Sequence, residues 1–391
     1  MSQDHYLIIP LAGMGERFRR DGYTTSKHML KIGMKSTLEF SLDSINLNDF
    51  KIIFIIREDQ AKNSEYIKFI EELCHGNHFE IKIIEGLTRG SLETVLKIQN
   101  DISANSKISI FTTDVHFTPK YNGDFFGNYQ GGILTFKSNS PNYSYARIED
   151  QFVQETAEKK VISNDAIVGI YYFSKAELFF KNAQIMINEN NLTNNEFYIA
   201  PLYNYLISQG MDIYSSRIEN FYVFGTPREF EFFSNFVKLE RSNLRIGLVS
   251  DHSGYHLKEK VRKILQSISD VSDYGTFTND NTDYNEWVMD AVEALQNGQV
   301  DLIIASCYSG NGVNIVANKH NSVIGCLVYD IESAELSQRH SSANFVALPD
   351  KIWRNSEDLE KCLRVLVNTH FEGGRHQLRL MKALELPNAN F

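Results

Sequence analysis

The fold of the C-terminal half is decided by one stretch, which reads Arg245-Ile246-Gly247-Leu248-Val249-Ser250-Asp251-His252-Ser253-Gly254-Tyr255-His256-Leu257-Lys258. The run Arg245–Ser250 predicts a β-strand, and the amphipathic pattern of His256–Ile268 predicts a helix. Asp251 and His252 therefore follow directly after a strand, where α/β proteins bind their ligands. The pattern predicts a ligand site, although Asp251 alone is also typical of a helix cap.

Three later segments continue this pattern: the cysteine- and glycine-containing Ser306–Lys319, the histidine-containing Leu336–Asn344 and the arginine-containing Glu372–Arg379. Together with the opening stretch they cover nearly all of residues 245–385. This part of the chain resembles ribose-5-phosphate isomerase B and the galactose-6-phosphate isomerase subunits. The resemblance implies a doubly wound parallel-sheet domain, which we place at residues 244–391, and an aldose–ketose isomerisation of a pentose-phosphate-like substrate.

This isomerisation needs a base that removes a proton next to a carbonyl group and so forms an enediolate. The resemblance implies that Cys307 is this base and that Gly310–Gly312 donates backbone N–H groups to the enediolate oxygen. Relatives without the cysteine often use a glutamate in the following loop, but Val313 stands at that position here. Without the surrounding pattern, Cys307 would be interpreted as a small buried hydrophobic residue.

The resemblance also assigns the remaining polar residues of this half. His340 with Asp251 is expected to open the sugar ring, and Ser309 to hold or relay a proton. His252 and the two C-terminal arginines are expected to bind the phosphate group. The full set of expected substrate contacts is Asp251, His252, Gly310, Asn311, Gly312, Asn344, Arg375 and Arg379.

We expect no cofactor in this domain and at least a homodimer formed through it, because the sites of this family are shared between two subunits. Two features leave alternatives open. Arg375 and Arg379 are four residues apart and also fit an exposed helix face. Lys351 stands where relatives often carry Gly-Gly-Arg, so a tetrose or a modified pentose phosphate is also compatible.

The N-terminal half has an alternating pattern of its own. Helical patterns at Asn63–Cys74 and Leu92–Gln99 separate some of its apolar runs, which predicts a mostly parallel sheet covered by helices. The predicted strands are Tyr6–Pro10, Lys51–Ile56, Ile81–Ile84, Ile108–Thr112 and Gly132–Phe136. A chain of 391 residues exceeds one core. We place the first domain at residues 1–240, because a polar segment ends near Arg241–Asn243.

The first strand leads into a glycine-containing loop within Ile8–Phe18. Gly13 and Gly15 let the backbone approach phosphate oxygens closely, and Arg17 adds a guanidinium that can bind them in bidentate fashion. A tight turn without a ligand fits this loop as well. A second cationic motif, Ser26-Lys27-His28-Met29-Leu30, follows and makes the pair of motifs more specific.

These two motifs resemble the signature of sugar-1-phosphate nucleotidyltransferases. Further matching motifs occur in the expected order at Arg89–Thr94, Thr112–Asp114, Glu158–Lys159, Asn195–Tyr198 and Gly225–Pro227. The resemblance covers roughly residues 6–235. It implies a Rossmann-like, GT-A-like domain with a mixed sheet, in which a sugar or polyol phosphate attacks a nucleoside triphosphate and pyrophosphate leaves.

Roles follow from the same resemblance. Arg17 and Lys27 are expected to be catalytic, and Asp114 to hold Mg²⁺. The expected nucleotide-binding residues are Leu11, Ala12, Gly13, Gly15, Arg17, Lys27, Gly90 and Glu93. The expected sugar-phosphate-binding residues are Glu158, Lys159, Glu196, Gly225 and Thr226.

Alternatives exist for single residues of this set. Asp114 alone would fit a turn or a helix cap, and Glu158–Lys159 would fit solvated surface. Val223 stands where many relatives carry a second acidic metal ligand. Either one metal suffices, or Glu196 substitutes, or activity is impaired.

Composition excludes several classes of protein. A net charge of −10 opposes general nucleic-acid binding. The 4 cysteines show no CxxC spacing and predict neither a zinc site nor a disulfide framework. No apolar stretch is long enough to cross a bilayer. We therefore expect a cytoplasmic protein without membrane insertion.

The fusion of two sugar-phosphate chemistries suggests a bifunctional enzyme that makes precursors for a capsule or another surface polysaccharide. The first loop together with Gly22-Tyr23 resembles capsule-associated cytidylyltransferase-like proteins, which favours CTP and leaves UTP, dTTP and GTP open. Two other hypotheses remain. One domain is a non-catalytic binding or oligomerisation module, or the N-terminal half is a glycosyltransferase that releases a nucleoside diphosphate.

Overall fold

A computed structural model describes residues 3–74, 76–218, 220–238 and 241–385. The chain divides into two compact units, Met1–Glu231 and Phe232–Phe391, and the division falls within a helix, Pro227–Phe236. The expected domain boundary at residues 240–244 remains a prediction, and residues 239–240 lie outside the described part of the chain.

The strands of the N-terminal unit are β1 (His5–Pro10), β2 (Lys31–Ile32), β3 (Lys35–Ser36), β4 (Lys51–Arg57), β5 (Phe79–Ile84), β6 (Lys107–Phe111), β7 (Val115–Thr118), β8 (Gly131–Lys137), β9 (Ser144–Glu149), β10 (Phe152–Glu158), β11 (Asp165–Phe173), β12 (Ile213–Arg217) and β13 (Asn220–Val223). Nine of them form one sheet in the order β5-β4-β1-β6-β11-β8-β12-β10-β9, and β13-β7 and β2-β3 form two small ribbons.

The helices that begin in this unit are α1 (Glu16–Arg20), α2 (Thr37–Leu42), α3 (Glu58–Ala61), α4 (Ser64–Leu73), α5 (Ser91–Leu96), α6 (Ala176–Asn188), α7 (Leu202–Ser208) and α8 (Pro227–Phe236). Three short 3₁₀ helices lie at Lys27–Met29, Leu47–Asp49 and Gln99–Asp101.

The large sheet is mixed. Strands β5, β4, β1 and β6 are parallel, whereas β11 runs antiparallel to both β6 and β8. Leu7, Ile8 and Ile9 of β1 are fully buried. Because both faces of this strand are covered, its sequence is a continuous apolar run. Ile8 packs on one face of the sheet and its two neighbours pack on the other. The predicted parallel arrangement therefore applies to the first half of the sheet.

The C-terminal unit contains a five-stranded parallel sheet in the order β15-β14-β16-β18-β17. Its strands are β14 (Arg245–Ser250), β15 (Asp270–Asp273), β16 (Leu302–Cys307), β17 (Gly325–Leu327) and β18 (Phe345–Pro349). Its helices are α9 (Tyr255–Leu265), α10 (Tyr284–Gln296), α11 (Asn311–Ala317), α12 (Ile331–Arg339), α13 (Asp350–Trp353), α14 (Leu359–Asn368) and α15 (Gly374–Leu384).

Helices cover both faces of this sheet, and each face has its own apolar core. Ile304 belongs to the core that includes α9 and α14, while Ile303 and Cys307 belong to the core that includes α10 and α11. The predicted fold class, α/β with a mixed first sheet and a parallel second sheet, is confirmed. Among the described residues, no helix combines the length and the apolarity that crossing a bilayer requires.

Candidate active sites

In the N-terminal unit, most of the predicted residues line one cleft of about 690 Å³. The predicted residues that line it are Ala12, Gly13, Gly15, Arg17, Lys27, Gly90, Asp114, Glu158, Lys159, Glu196 and Gly225. They come from loops after β1, β5, β6 and β13 and from segments around β10 and α7. Three predicted residues, Leu11, Glu93 and Thr226, are not among the residues that line the cleft.

Lys27 and Asp114 form an ion pair in this cleft, with Nζ 2.9 Å from Oδ1 and 2.6 Å from Oδ2. Both side chains are partly exposed, at 22% and 30%. Next to Lys27, the buried ring of His28 lies 2.8 Å from the hydroxyl of Tyr66. Burial lowers the pKa of His28 well below its ordinary value, and the charge of Lys27 lowers it further. The cationic group of this turn is therefore the lysine.

The far end of the cleft contains Glu158 and Lys159. Ser144 donates a hydrogen bond to Glu158, and Lys159 donates one to the hydroxyl of Tyr198. The Lys159 ammonium also lies 4.6 Å from the centre of the Tyr198 ring. Burial raises the pKa of Glu158. This end therefore offers a cation, an aromatic face and a carboxyl group to a polar ligand.

The nucleotide-binding prediction at Gly90 and Glu93 has a local structural basis. Gly90 has a φ of 123°, and a Cβ there would lie 2.5 Å from the carbonyl oxygen of Phe197, so a side chain is excluded. Glu93 accepts a hydrogen bond of 2.5 Å from the backbone N–H of Arg89. Its carboxylate is therefore engaged with the turn that precedes α5.

Asp114 follows β6 and is the carboxylate that was predicted to hold Mg²⁺. The chain passes close to it at Gly225, where a Cβ would lie 3.0 Å from the Asp114 Cβ. Val223 is buried in β13, so the second acidic position is apolar. One carboxylate facing a cleft that can admit phosphates fits Mg²⁺, which is commonly held by one or two carboxylates and substrate phosphates.

Glu229 is a nearby carboxyl group that the sequence interpretation missed. It accepts a 3.0 Å hydrogen bond from the Thr226 N–H, while Thr226 Oγ1 accepts one of 3.3 Å from the Glu229 N–H. Burial raises the pKa of Glu229, and the charge of Asp114 raises it further. The sequence does contain a local indication of the role of Glu229, because Thr226-Pro227-Arg228-Glu229 has the spacing of a capping box. Thr226 therefore starts helix α8.

In the C-terminal unit, Cys307 and Asp251 lie at the carboxyl ends of neighbouring strands, β16 and β14. Cys307 Sγ accepts a 3.0 Å hydrogen bond from the Gly310 N–H, and Asp251 Oδ1 accepts one of 2.7 Å from the Gly254 N–H. Burial raises the pKa of the Cys307 thiol, and the charge of Asp251 raises it further. Burial also raises the pKa of Asp251.

The loop after Cys307 requires glycine. Gly310 has a φ of 76°, and a Cβ there would collide with Leu327. Ser309 Oγ accepts a 3.4 Å hydrogen bond from the N–H of Asn311. Gly312 lies against the ring of Tyr284, where a Cβ would be 2.7 Å from the ring. Tyr284 was missed in the interpretation of the sequence.

We call Asp251, His252 and the residues Cys307–Gly312 the carboxyl-edge cluster.

The other predicted residues of this unit, His340, Asn344, Arg375 and Arg379, form a second group together with Glu372 and His376, which were not predicted as site residues. We call these six residues the amino-edge cluster. The rings of His340 and His376 stack with centroids 4.1 Å apart. His340 Nε2 lies 3.6 Å from a Glu372 oxygen, and Arg375 Nε donates to His376 Nε2 at 3.1 Å. The pKa of His376 is lowered to about 4, first by burial and then by the charges of His340 and the two arginines.

The three ligand atoms of His340, Glu372 and His376 lie within 4.8 Å of one another, as a metal site requires. However, Arg375 Nε already donates a hydrogen bond to His376 Nε2, so this nitrogen is not free to bind a metal. Asn344 holds the backbone, since its amide accepts from the Ile324 N–H at 2.8 Å and donates to the Ser322 carbonyl at 2.7 Å.

Strand register separates the two clusters within one chain. Cys307 pairs with Pro349 at the carboxyl end of β18, whereas Phe345 at its amino end pairs with Ile303. These two ends are about 13 Å apart along the strand. His340 and Asn344 precede Phe345 in the chain. The clusters therefore belong to opposite edges of the sheet.

Comparison with known proteins identifies the family of the unit that contains this parallel sheet. Residues 246–383 match the family model described as Ribose/Galactose Isomerase. The probable ribose-5-phosphate isomerase B of Mycoplasma genitalium is 32% identical over 145 residues, which are 36% of this chain and 95% of that protein. The ribose-5-phosphate isomerase B of Escherichia coli is 31% identical over 137 residues, 35% of this chain and 91% of that protein. Through its C-terminal unit, the chain belongs to the ribose/galactose isomerase family.

The N-terminal region resembles a solved structure of a nucleoside-diphosphate-sugar pyrophosphorylase from Vibrio cholerae RC9. The two are 28% identical, with a TM-score of 0.54, over 58% of this chain and 99% of that chain. The predicted resemblances of both halves are therefore confirmed. The chain is an enzyme that joins a nucleotidyltransferase-like region to an isomerase-family region.

Proposed function

We propose that the N-terminal unit transfers a nucleotidyl group from a nucleoside triphosphate to a sugar or polyol phosphate and releases pyrophosphate. The observation that carries this proposal is the single cleft lined by Arg17, Lys27, Lys159 and Asp114. We further propose that the C-terminal unit interconverts an aldose phosphate and a ketose phosphate of about pentose size. Its support is the thiol of Cys307 beside the Gly310 N–H, within a region of that enzyme family.

In the transfer reaction, negative charge collects on the α-phosphate and on the leaving pyrophosphate. Arg17 and Lys27 bind and neutralise these phosphates, and Lys159 orients the attacking sugar phosphate. Lys27 is paired with Asp114 in the free enzyme. A bound triphosphate gives Lys27 a new partner and frees the Asp114 carboxylate. Asp114 would hold Mg²⁺, which would supply further neutralisation of the phosphate charge when bound.

In the isomerisation, the Cys307 thiolate removes the proton next to the carbonyl and returns it to the neighbouring carbon. The N–H groups of Gly310–Gly312 stabilise the enediolate oxygen, and Asp251 with His340 opens the sugar ring. The phosphate binds His252, Arg375 and Arg379, and Asn311 adds a further polar side chain. Asn344 supports the site indirectly, because its side-chain amide is bonded to the Ile324 and Ser322 backbone. Ser309 relays the proton. No cofactor takes part in these steps.

We propose that a second copy of the chain supplies the amino-edge cluster to the carboxyl-edge cluster, so that the isomerase is at least a homodimer. The support is the location of the two clusters at opposite edges of one sheet. Apolar side chains near the carboxyl edge are also exposed, namely Phe277 at 61%, Tyr308 at 62% and Ile315 at 61%. Their burial in a dimer would be favourable.

The broader role that we propose is synthesis of an activated precursor for a capsule or another surface polysaccharide in the cytoplasm, with CTP as the nucleotide. The proposed partners are the triphosphate and phosphorylated sugars or polyols, and nucleic acid is not among them. The formal net charge of −10 and the fusion of two sugar-phosphate chemistries in one chain support this role. The functional domains are proposed at residues 1–240 and 244–391.

The test is a matrix of the four common triphosphates, each with Mg²⁺, against a panel of phosphorylated sugars and polyols, read by mass spectrometry. We expect one pair to release pyrophosphate, and Lys27→Ala to lower this release by roughly 10²-fold. Lys68→Ala, which changes a lysine with a side chain 75% exposed, is the matched control. If no pair releases pyrophosphate, the transferase proposal is wrong. Release of a nucleoside diphosphate instead would identify a glycosyltransferase.

A further inference from the structure

The glycine loop after β1 accepts hydrogen bonds from side chains of the segment Arg57–Gln60, which the sequence pattern did not single out. The guanidinium Nη1 of Arg57 donates to the Ala12 carbonyl and, at 3.0 Å, to the Gly13 carbonyl. The side-chain amide of Gln60 donates to the Leu11 carbonyl at 3.0 Å. Three consecutive carbonyl groups of the loop are thus bound by one short segment at the end of β4.

This arrangement fixes the direction of the loop's N–H groups. In a trans peptide the carbonyl of one residue and the N–H of the next lie in one plane and point in opposite directions. Arg57 and Gln60 bind the carbonyls of Leu11, Ala12 and Gly13 on one side of the loop. The N–H groups of the three following residues therefore point to the opposite side. Those residues are Ala12, Gly13 and Met14, and all three line the 690 Å³ cleft.

These N–H groups are available for a ligand. Within residues 3–74, 76–218, 220–238 and 241–385, the backbone N–H groups of Ala12, Gly13 and Met14 donate to no protein acceptor. Leu11, by contrast, still donates to the Ile55 carbonyl at 2.8 Å, as a residue of a regular sheet does. The change from paired to unpaired N–H groups begins where the binding by Arg57 and Gln60 begins.

The binding segment is itself rigid. The Arg57 side chain is only 6% exposed, and Asp59 binds its other two nitrogens at 2.8 Å each. Hydrogen bonding by Arg57 lowers the pKa of Asp59, and the charge of Arg57 lowers it further. Gln60 Oε1 accepts from the Arg57 N–H at 2.9 Å, which leaves the amide nitrogen of Gln60 to face Leu11. A buried and fully bonded guanidinium loses little further freedom when the loop binds a ligand.

We propose that Arg57 and Gln60 are positioning residues of the nucleotidyltransferase site, which act through the loop by aiming three backbone N–H groups at the triphosphate. This proposal rests on the proposed function of the N-terminal unit. Arg57 is not among the residues that line the 690 Å³ cleft, so we assign it a positioning role. It organises an anion-binding concavity of the kind that successive backbone N–H groups form around phosphates.

Binding of inorganic tripolyphosphate and of each nucleoside triphosphate to the full chain, measured by calorimetry, tests the proposal. For Arg57→Gln we expect the Kd of tripolyphosphate and the KM of the triphosphate to rise by roughly 10²-fold. The KM of the sugar phosphate should stay unchanged. Arg57→Lys keeps the positive charge but loses the several N–H donors of the guanidinium, and should bind more tightly than Arg57→Gln but less tightly than the wild type. Gln60→Glu turns an acceptor toward the Leu11 carbonyl and should weaken binding roughly tenfold.

Glu58→Gln is the matched control, because Glu58 is an exposed residue of the same segment, and it should bind like the wild type. Isomerase activity of each variant reports on the C-terminal unit, and thermal unfolding reports on the N-terminal unit. If Arg57→Gln unfolds, Gln60→Glu carries the test. Folded variants with unchanged Kd and KM would overturn the proposal. If the wild type binds tripolyphosphate without releasing pyrophosphate from any pair, the proposed function is wrong while the positioning role is still measured.

Discussion

The two units organise their phosphate-binding residues differently. In the N-terminal unit the cationic side chains and Asp114 line one cleft within a single unit. In the C-terminal unit the corresponding residues are divided between a carboxyl-edge cluster and an amino-edge cluster of the same sheet. A site of the first kind is complete in one chain, whereas we propose that a site of the second kind is completed by a second copy of the chain.

The difference follows from how the sheets present their loops. In the N-terminal unit, loops after parallel strands meet segments of the antiparallel half, so distant parts of the chain converge on one cleft. In the C-terminal unit every strand is parallel, so residues before β18 and residues after β16 must lie at opposite edges. Motifs of similar chemistry are therefore placed differently by the two sheets, within one cleft in the first unit and at two edges in the second.

The largest expected effect separates the two chemistries. Cys307→Ala removes the proposed base and should lower kcat/KM of isomerisation by roughly 10³-fold, while pyrophosphate release stays at the wild-type rate. The measurement is a coupled assay of ribose 5-phosphate and related sugar phosphates alongside a pyrophosphate assay. Cys362→Ala, at a buried cysteine packed in the core on the other face, is the control and should keep the isomerase active once folded. Retained isomerase activity in Cys307→Ala would contradict the assignment.

A smaller effect tests whether the isomerase site is shared. Cys307→Ala and His340→Asn should each be inactive alone, but mixing them under conditions of subunit exchange should restore about a quarter of wild-type activity. Half of the random dimers are mixed, and each mixed dimer has one intact site of two. The same experiment with Lys27→Ala and Lys159→Ala should restore no pyrophosphate release, because that cleft lies within one unit. Failure of the isomerase pair to recover, with exchange demonstrated, would contradict the shared site.

The smallest expected effect concerns acidity at the carboxyl edge. The charge of Asp251 raises the pKa of Cys307, so Asp251→Asn should lower that pKa and shift thiolate formation to lower pH. The measurement is the ultraviolet absorbance of the thiolate during a pH titration, from which the titration of the same protein carrying Cys307→Ala is subtracted. Burial raises the pKa values of Cys74 to about 11 and of Cys362 to about 12 and also raises that of Cys326, and the subtraction removes the contributions of these three thiols. An unchanged titration in Asp251→Asn would show that Asp251 does not act on the thiol.

Much of both folds was predictable because the decisive features are local. The run Arg245–Ser250 is both the predicted and the observed strand, and the predicted helix at Asn63–Cys74 appears as Ser64–Leu73. The antiparallel half of the first sheet was not predicted in detail, because its order depends on pairing between distant strands such as β6 and β11. Pairing of this kind leaves no local pattern in the sequence.

The residues that the sequence interpretation missed share one property. Arg57 acts on carbonyls 44 and 45 residues away, and Tyr284 touches the loop at Gly312 from the start of another helix. Glu229 lies near Asp114 although more than a hundred residues separate them in the sequence. The capping-box spacing predicts the local role of Glu229 at the start of α8, but the contacts of these residues with distant segments depend on how separate elements pack.

The sequence by itself determined that two α/β regions carry glycine loops and cationic residues suited to phosphorylated small molecules, because strand ends, glycines and charged motifs are short-range features. The tertiary structure alone decided which of those residues share a site. It brought one set together in a single cleft and bonded the first glycine loop to Arg57 and Gln60. It also placed Cys307 and His340 at opposite ends of a strand. The physical reason is that strand order and register, which no short stretch of sequence specifies, set the distance between side chains from distant parts of the chain.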